Sequence, residues 1–181
     1  KMAVTRKASA YSKRRPVVNT RRSKKLKLSY VKAVPSQKIV RFNMGNIRAF
    51  EDGNYKINMS LVSEEDIQIR DIALEAVRQS IHKDMTKFLA NDYFFRCNVY
   101  PHNILRNNRI FSGGSKGERI QTGMSKSFGS PEGRAATIKK GRAIFTAYFN
   151  GEQNLTKVKD IFRKAKPKLA CKTRSVVEIT K

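Results

Sequence analysis

Residues 106–133 hold the strongest candidate for chemistry in this 181-residue chain. Six glycines (Gly113, Gly114, Gly117, Gly123, Gly129 and Gly133) are interleaved there with Arg106, Arg109, Lys116, Arg119 and Lys126. Glycine lets backbone amides approach a phosphate, and Arg and Lys supply the opposing charge. A loop of this length inside a compact domain is usually functional or disordered. A nucleotide-binding P-loop needs Gly, four residues and then Gly-Lys-Ser/Thr, and that spacing is absent. Gly114-Ser115-Lys116-Gly117 fits the Gly-x-x-Gly of a KH module. Arg106-Asn107-Asn108-Arg109, however, is not the apolar helix that should lead into one. Phe111 and Phe128 are placed to stack on a base or to anchor the loop. Anchoring is favoured for Phe128, and Phe111 is left open.

Other reactive side chains are scattered. Cys97 and Cys171 lie far apart and outside any Cys-x-x-Cys pattern, and His82 and His102 do not stand at ligand spacing with them. Neither zinc nor any other cofactor is expected, and the thiols read as ordinary cysteines of a reducing compartment. No Ser, His and Asp fall into a nucleophile–base–acid arrangement, so no enzyme is expected.

Charge points to a partner. Fifteen cationic side chains precede the first acid, Glu51, and the whole chain carries 39 Lys and Arg against 14 Asp and Glu, a net +25. Such a segment repels itself in water and calls for a dense polyanion, of which nucleic acid is the commonest. Residues 1–36 read as a basic extended arm, largely disordered in isolation and folding on RNA, with Arg6, Lys7, Lys13, Arg14, Arg15, Arg21, Arg22, Lys24 and Lys25 as phosphate ligands. Lys139, Lys140, Arg142, Arg163 and Lys164, with Lys166 and Lys168, form a second candidate face for RNA. Nine of the acids fall between Glu51 and Asp92, which marks that segment as a solvent face turned away from phosphate. There is no apolar signal core and no membrane-length apolar run, so no membrane partner is expected. The basic, Ser-containing start is compatible with a transit peptide, but its Tyr, Pro and paired Arg suit an RNA-binding arm better.

The elements that must hold these residues follow from periodicity. Residues 38–43 and 55–62 read as strands. In the second, Ile57, Met59 and Leu61 alternate with polar residues, and a turn at 51–54 separates the two. Residues 67–90 read as a helix with an apolar stripe of Ile69, Ile72, Ala73, Ala76, Val77, Ile81, Met85 and Phe88, and with Glu75 and Arg78 on the polar side. Residues 93–100 read as a strand, and 134–139 as one that pairs with 142–149 across Lys140-Gly141. A second helix is expected over 153–165, ended by Pro167, and a last strand over 175–179. The sum is an α+β fold: a mostly antiparallel sheet with two packed helices, a basic extended N-terminal arm and a long Gly-rich loop. The expected division is the arm, 1–36, and one domain, 37–181, with its functional loop at about 106–121.

Several motifs together resemble one family. Gln121-Thr122-Gly123-Met124, Phe128-Gly129-Ser130-Pro131-Glu132-Gly133, Ala135-Ala136 and Gly141 look like the signature of the universal large-subunit ribosomal protein sixteen family. Tyr100-Pro101-His102-Asn103-Ile104-Leu105-Arg106 resembles its Pro-His-x-(Val/Ile)-(Ile/Leu)-Arg run. Ser60-Leu61-Val62, Ile69-Arg70, Leu74-Glu75-Ala76 and Arg6-Lys7-Ala8-Ser9-Ala10-Tyr11 resemble its archaeal and eukaryotic L-ten-e branch. The resemblance spans nearly the whole chain. It implies a cytoplasmic, structural protein of the large ribosomal subunit, bound to the large rRNA, to the small rRNA of that subunit and to neighbouring ribosomal proteins. It also implies a loop near the aminoacyl- and peptidyl-site tRNAs that supports translation and subunit maturation. Arg106, Arg109, Lys116 and Arg119 would be its tRNA-proximal cations. The alternative is a free RNA chaperone or single-strand RNA-binding protein.

Overall fold

A computed structural model describes residues 7, 9–13, 31, 34–107 and 129–179. In chain order these form α1 (Ser9–Ser12), β1 (Asn43–Gly45), α2 (Ile47–Glu51), β2 (Ile57–Ser63), β3 (Ile67–Arg70), α3 (Asp71–Leu89), β4 (Tyr93–Cys97), β5 (Asn103–Asn107), β6 (Ser130–Ile138), β7 (Ala143–Phe149), α4 (Gln153–Ala165), a 3-10 turn (Lys166–Lys168) and β8 (Thr173–Ile179).

The expected α+β class holds, but the strands make two sheets. One has five strands in the order β1-β4-β7-β2-β8, the other three in the order β3-β6-β5, and every strand pair is antiparallel. Ile57, Met59 and Leu61 point inward from β2 as their alternation requires, and share one core with Phe145 and Phe149 of the neighbouring β7 and Phe95 of β4 beyond it. Helices α3 and α4 cover that face with Leu74, Val77, Ile81, Met85, Val158, Ile161 and Phe162. The expected boundaries of α4 match the observed ones.

Four sequence expectations change. Residues 67–70 are a strand rather than the first turn of a helix. Ile67 and Ile69 alternate inward while pairing with Ile138 and Ala136, and α3 begins at Asp71. The face of α3 also turns. Ile72 and Phe88 are about half exposed, whereas Glu75 and Arg78 are buried beside Leu74, Val77 and Ile81. Two stripes compete at three- and four-residue spacing, and the one with Leu74 wins because Glu75 neutralises the cation it brings inside.

Residues 38–42 form no strand. The backbone N–H of Lys38 donates to Asp71 Oδ2 (3.1 Å) and that of Val40 to Glu75 Oε2 (3.3 Å), so α3 carboxylates take donors a sheet ladder would need. Finally, β6 does not form a hairpin with β7. It pairs with β3 and β5 in the smaller sheet, and β5 is a strand that the residue pattern does not announce. Because Asp71 and Glu75 are buried, the acidic segment 51–92 is only partly a solvent face; Glu64, Glu65 and Asp66 are exposed, but they stand beside Lys140, Lys172 and Arg174 rather than on a face apart from the cations.

Candidate nucleic-acid interface

Two chain crossings stitch the sheets together at one corner. The β2–β3 link and the β6–β7 link run side by side there. Ser63 N–H donates to the Arg142 carbonyl (3.1 Å), Gly141 N–H to the Ser63 carbonyl (2.8 Å), and Glu64 N–H to the Lys172 carbonyl (3.0 Å). Asp66 Oδ1 accepts the Lys140 N–H at 2.7 Å. Gly141 has φ +84°, a left-handed value that glycine adopts without a Cβ clash, so the chain can turn from one sheet to the other here.

Backbones are thus pinned while long side chains remain outside. Lys139, Lys140, Arg142, Lys172 and Arg174 are all exposed at or beside this corner. Ser63, Glu64, Glu65, Lys140, Gly141, Lys172 and Arg174 line an open cavity of about 510 Å³. Cations on a fixed frame suit a run of phosphates, because ordering them costs little backbone entropy.

The structure therefore brings together three of the sequence-derived candidates, Lys139, Lys140 and Arg142. It adds Lys172 and Arg174, which charge alone did not single out; only the pairing of β2 with β8, Val62 opposite Arg174, carries them there. Arg163 and Lys164 stand instead in the last turn of α4, exposed, with Arg163 3.1 Å from Asp160. An exposed pair of this kind contributes about 0–1 kcal/mol and leaves the guanidinium available.

A second region lies at the root of the glycine-rich segment, whose flanks are β5 and β6. Arg106 Nη1 donates to the Gly129 carbonyl at 3.0 Å and so spans the mouth between the two strands. Partial burial pulls its guanidinium below the ordinary value, but an arginine so shifted remains a cation. Tyr11 seals the same place. Its ring is buried against Leu105 and Ala135, and the Arg70 guanidinium lies 5.1 Å from its centroid. Its hydroxyl donates to the Arg106 carbonyl (3.3 Å), and its own carbonyl accepts from Gln68 Nε2 (2.9 Å).

Residues 9–12 of the arm are therefore a helical turn docked on the domain without RNA, with Lys7 and Lys13 exposed on either side of it. Arg6, Arg14, Arg15, Arg21, Arg22, Lys24 and Lys25 of the arm lie outside the described residues, as do Arg109, Phe111, Lys116, Arg119 and Phe128 of the loop.

The reactive side chains take structural places. Burial pushes the thiols of Cys97 and Cys171 up to about 11, so neither is a thiolate nucleophile at neutral pH. His82 Nδ1 meets the Tyr93 hydroxyl at 2.8 Å, and that hydroxyl meets Thr86 Oγ1 at 2.7 Å. Burial, then the charges of Arg78 and Arg41, hold this imidazole below its ordinary value and favour the neutral ring. Among the described residues no group of three or more His, Cys, Asp or Glu could hold a metal ion, and no helix is long and apolar enough to cross a membrane.

Fold and surface together define a small, strongly basic α+β protein that presents cations on a rigid two-sheet frame. Residues 17–176 match the family described as Ribosomal protein L16p/L10e. The chain belongs to that family. It is 40% identical over 150 residues to the large ribosomal subunit protein uL16 of Pyrobaculum arsenaticum, covering 82% of this chain and 81% of that one. The uL16 protein of Methanospirillum hungatei is 35% identical over 151 residues, covering 83% and 85%. That of Halobacterium salinarum is 38% identical over 141 residues, covering 77% and 78%. Family membership makes the chain a structural protein rather than an enzyme.

Proposed function

We propose that this chain is a structural constituent of the large ribosomal subunit. In this reading it binds rRNA through its arm (1–36) and the cationic corner of its α+β domain (37–181). It holds the loop of about 106–121 toward the aminoacyl- and peptidyl-site tRNAs, in support of translation and subunit maturation. Neighbouring ribosomal proteins and the small rRNA of the subunit are its other partners. Family membership supports the first statement. The observation that supports the placing role is the root of the loop: Arg106 ties β5 to Gly129 at the mouth of β6, while Tyr11 clamps the arm onto the same strands. A loop mounted this way can reach out from a fixed base.

Binding of the purified chain to large-subunit rRNA over a salt series tests the corner. Removing one cation that neutralises a phosphate flattens the salt slope by about one. Lys140→Gln/Lys172→Gln/Arg174→Gln is expected to flatten it by about three while melting like the wild type. An unchanged slope would remove the corner from the interface. Equal affinity for unrelated RNAs would favour a free RNA chaperone.

A further inference from the structure

Three aromatic rings form a cluster beside the loop-bearing strands, and the outer two belong neither to the core nor to the cationic corner. Phe42, half-buried against the core, lies 5.4 Å from Tyr100 at an interplanar angle of 22°. Tyr100 in turn lies 4.6 Å from His102, whose ring is tilted from it by 46°. Tyr100 is 41% exposed and His102 is exposed, so the cluster opens outward from a fixed inner ring. Its frame is stiff: Cys97 N–H donates to the Phe42 carbonyl at 2.8 Å, and Pro101, next to both outer rings, is buried. Arg134 reinforces it from β6, donating through Nε to the Pro35 carbonyl (2.7 Å) and reaching the Tyr100 hydroxyl through Nη1 (3.5 Å).

We propose that Tyr100, with the tilted ring of His102 beside it, forms a stacking platform for one unpaired nucleobase of the RNA that this protein binds. The inference rests on the ribosomal reading above and adds to it a site that reads a base rather than a phosphate. Exposed rings gain little from water, and a planar base covers them with its own π-face. An arginine in contact with the outer tyrosine adds positive charge where the backbone of a splayed nucleotide would pass. A cluster kept only to anchor residues 40–42 would need Phe42 and one cover; His102 would then have no reason to continue it into solvent.

The signature is a loss of affinity without a change in salt slope, because stacking on the Tyr100 ring releases no counterion. Full-length chain and large-subunit rRNA are titrated for wild type, Tyr100→Phe, Tyr100→Leu and His102→Ala. Tyr100→Leu keeps apolar bulk against Phe42 but has no planar face, and His102→Ala alters only an exposed ring, so either remains informative if the other fails to melt like the wild type. The expected result is roughly a five- to 150-fold weakening for Tyr100→Leu, a smaller one for His102→Ala, near-wild-type binding for Tyr100→Phe and parallel salt slopes throughout. Ultraviolet irradiation of assembled subunits should then attach a nucleotide to Tyr100 or His102.

Wild-type affinity in Tyr100→Leu overturns the platform, as does an equal loss in Tyr100→Phe, which would assign the effect to the hydroxyl. Crosslinks from these rings to a protein instead of a nucleotide also overturn it, in favour of a protein contact. If the wild type itself shows no preference for large-subunit rRNA, it is the ribosomal reading that has failed, and this proposal goes with it.

Discussion

Arg78 is buried, and Glu75 is the reason it can be. Arg78 donates to both carboxylate oxygens, at 2.6 and 2.7 Å, and its third nitrogen reaches Met44 Sδ. The remaining capacity of Glu75 goes to Gln79 and to the Val40 N–H, so the pair also holds Val40 against α3. Burial alone would raise the Glu75 carboxyl. Hydrogen bonds from Arg78, Gln79 and the Val40 backbone outweigh it and hold the group below its ordinary 4.5. A carboxylate depressed in the folded state contributes stability that is fully present above 4.5 and is lost as pH falls through the lower folded value. Asp71, raised by burial, acts in the opposite sense over its own range. Glu75→Gln is therefore expected to cost about 3 kcal/mol at pH 7, where it strands the Arg78 charge, and progressively less toward acid. Urea unfolding at stepped pH measures this; a penalty independent of pH would contradict it.

At the scale of elements, two glycines make turns of different severity. Gly45 has φ +86°, and a Cβ there would overlap the Tyr93 carbonyl oxygen. Gly141 has a similar φ, +84°, but open space around it. Gly141→Ala should cost about 1–2 kcal/mol from the backbone alone. Gly45→Ala should cost clearly more, because β1 must also move from β4, and thermal melting of the two variants side by side ranks them. Equal losses would mean that β1 can shift freely.

Local pattern reveals the elements whose signals are local. The alternation of Ile57, Met59 and Leu61 and the stripe of Leu155, Val158, Ile161 and Phe162 place β2 and α4 where they stand. The smaller sheet is not legible in the sequence, because its pairings are distant: β6 finds β3, some 65 residues earlier, rather than its neighbour β7. Ile67 and Ile69 fit a strand and a helix equally until their partners Ile138 and Ala136 are known. The same gap hides part of the proposed interface. Lys172 and Arg174 are ordinary cations until β8 carries them to Lys140, and Tyr11 looks like one more arm residue until it meets Leu105. Lys139, Lys140 and Arg142 fall at one corner, as their near contiguity in the chain requires.

Across the whole molecule, a net charge of +25 is divided between pinned and terminal cations. The described structure fixes one set at the seam of two sheets, and the acids at that seam, Glu64, Glu65 and Asp66, help to shape it. Such a surface binds polyanions weakly anywhere and strongly only where phosphates match its spacing. That separates a structural ribosomal constituent, whose contacts are few and fixed, from a chaperone, whose contacts scatter.

Crosslinking followed by sequencing of the attached RNA, on particles fractionated by sedimentation, tests this most directly. The protein is expected to travel with large subunits, corner and arm crosslinks to fall on a few fixed rRNA sites, and loop crosslinks to fall near tRNA. A protein that stays at the top of the gradient, with crosslinks spread over messenger and other RNAs, would contradict it.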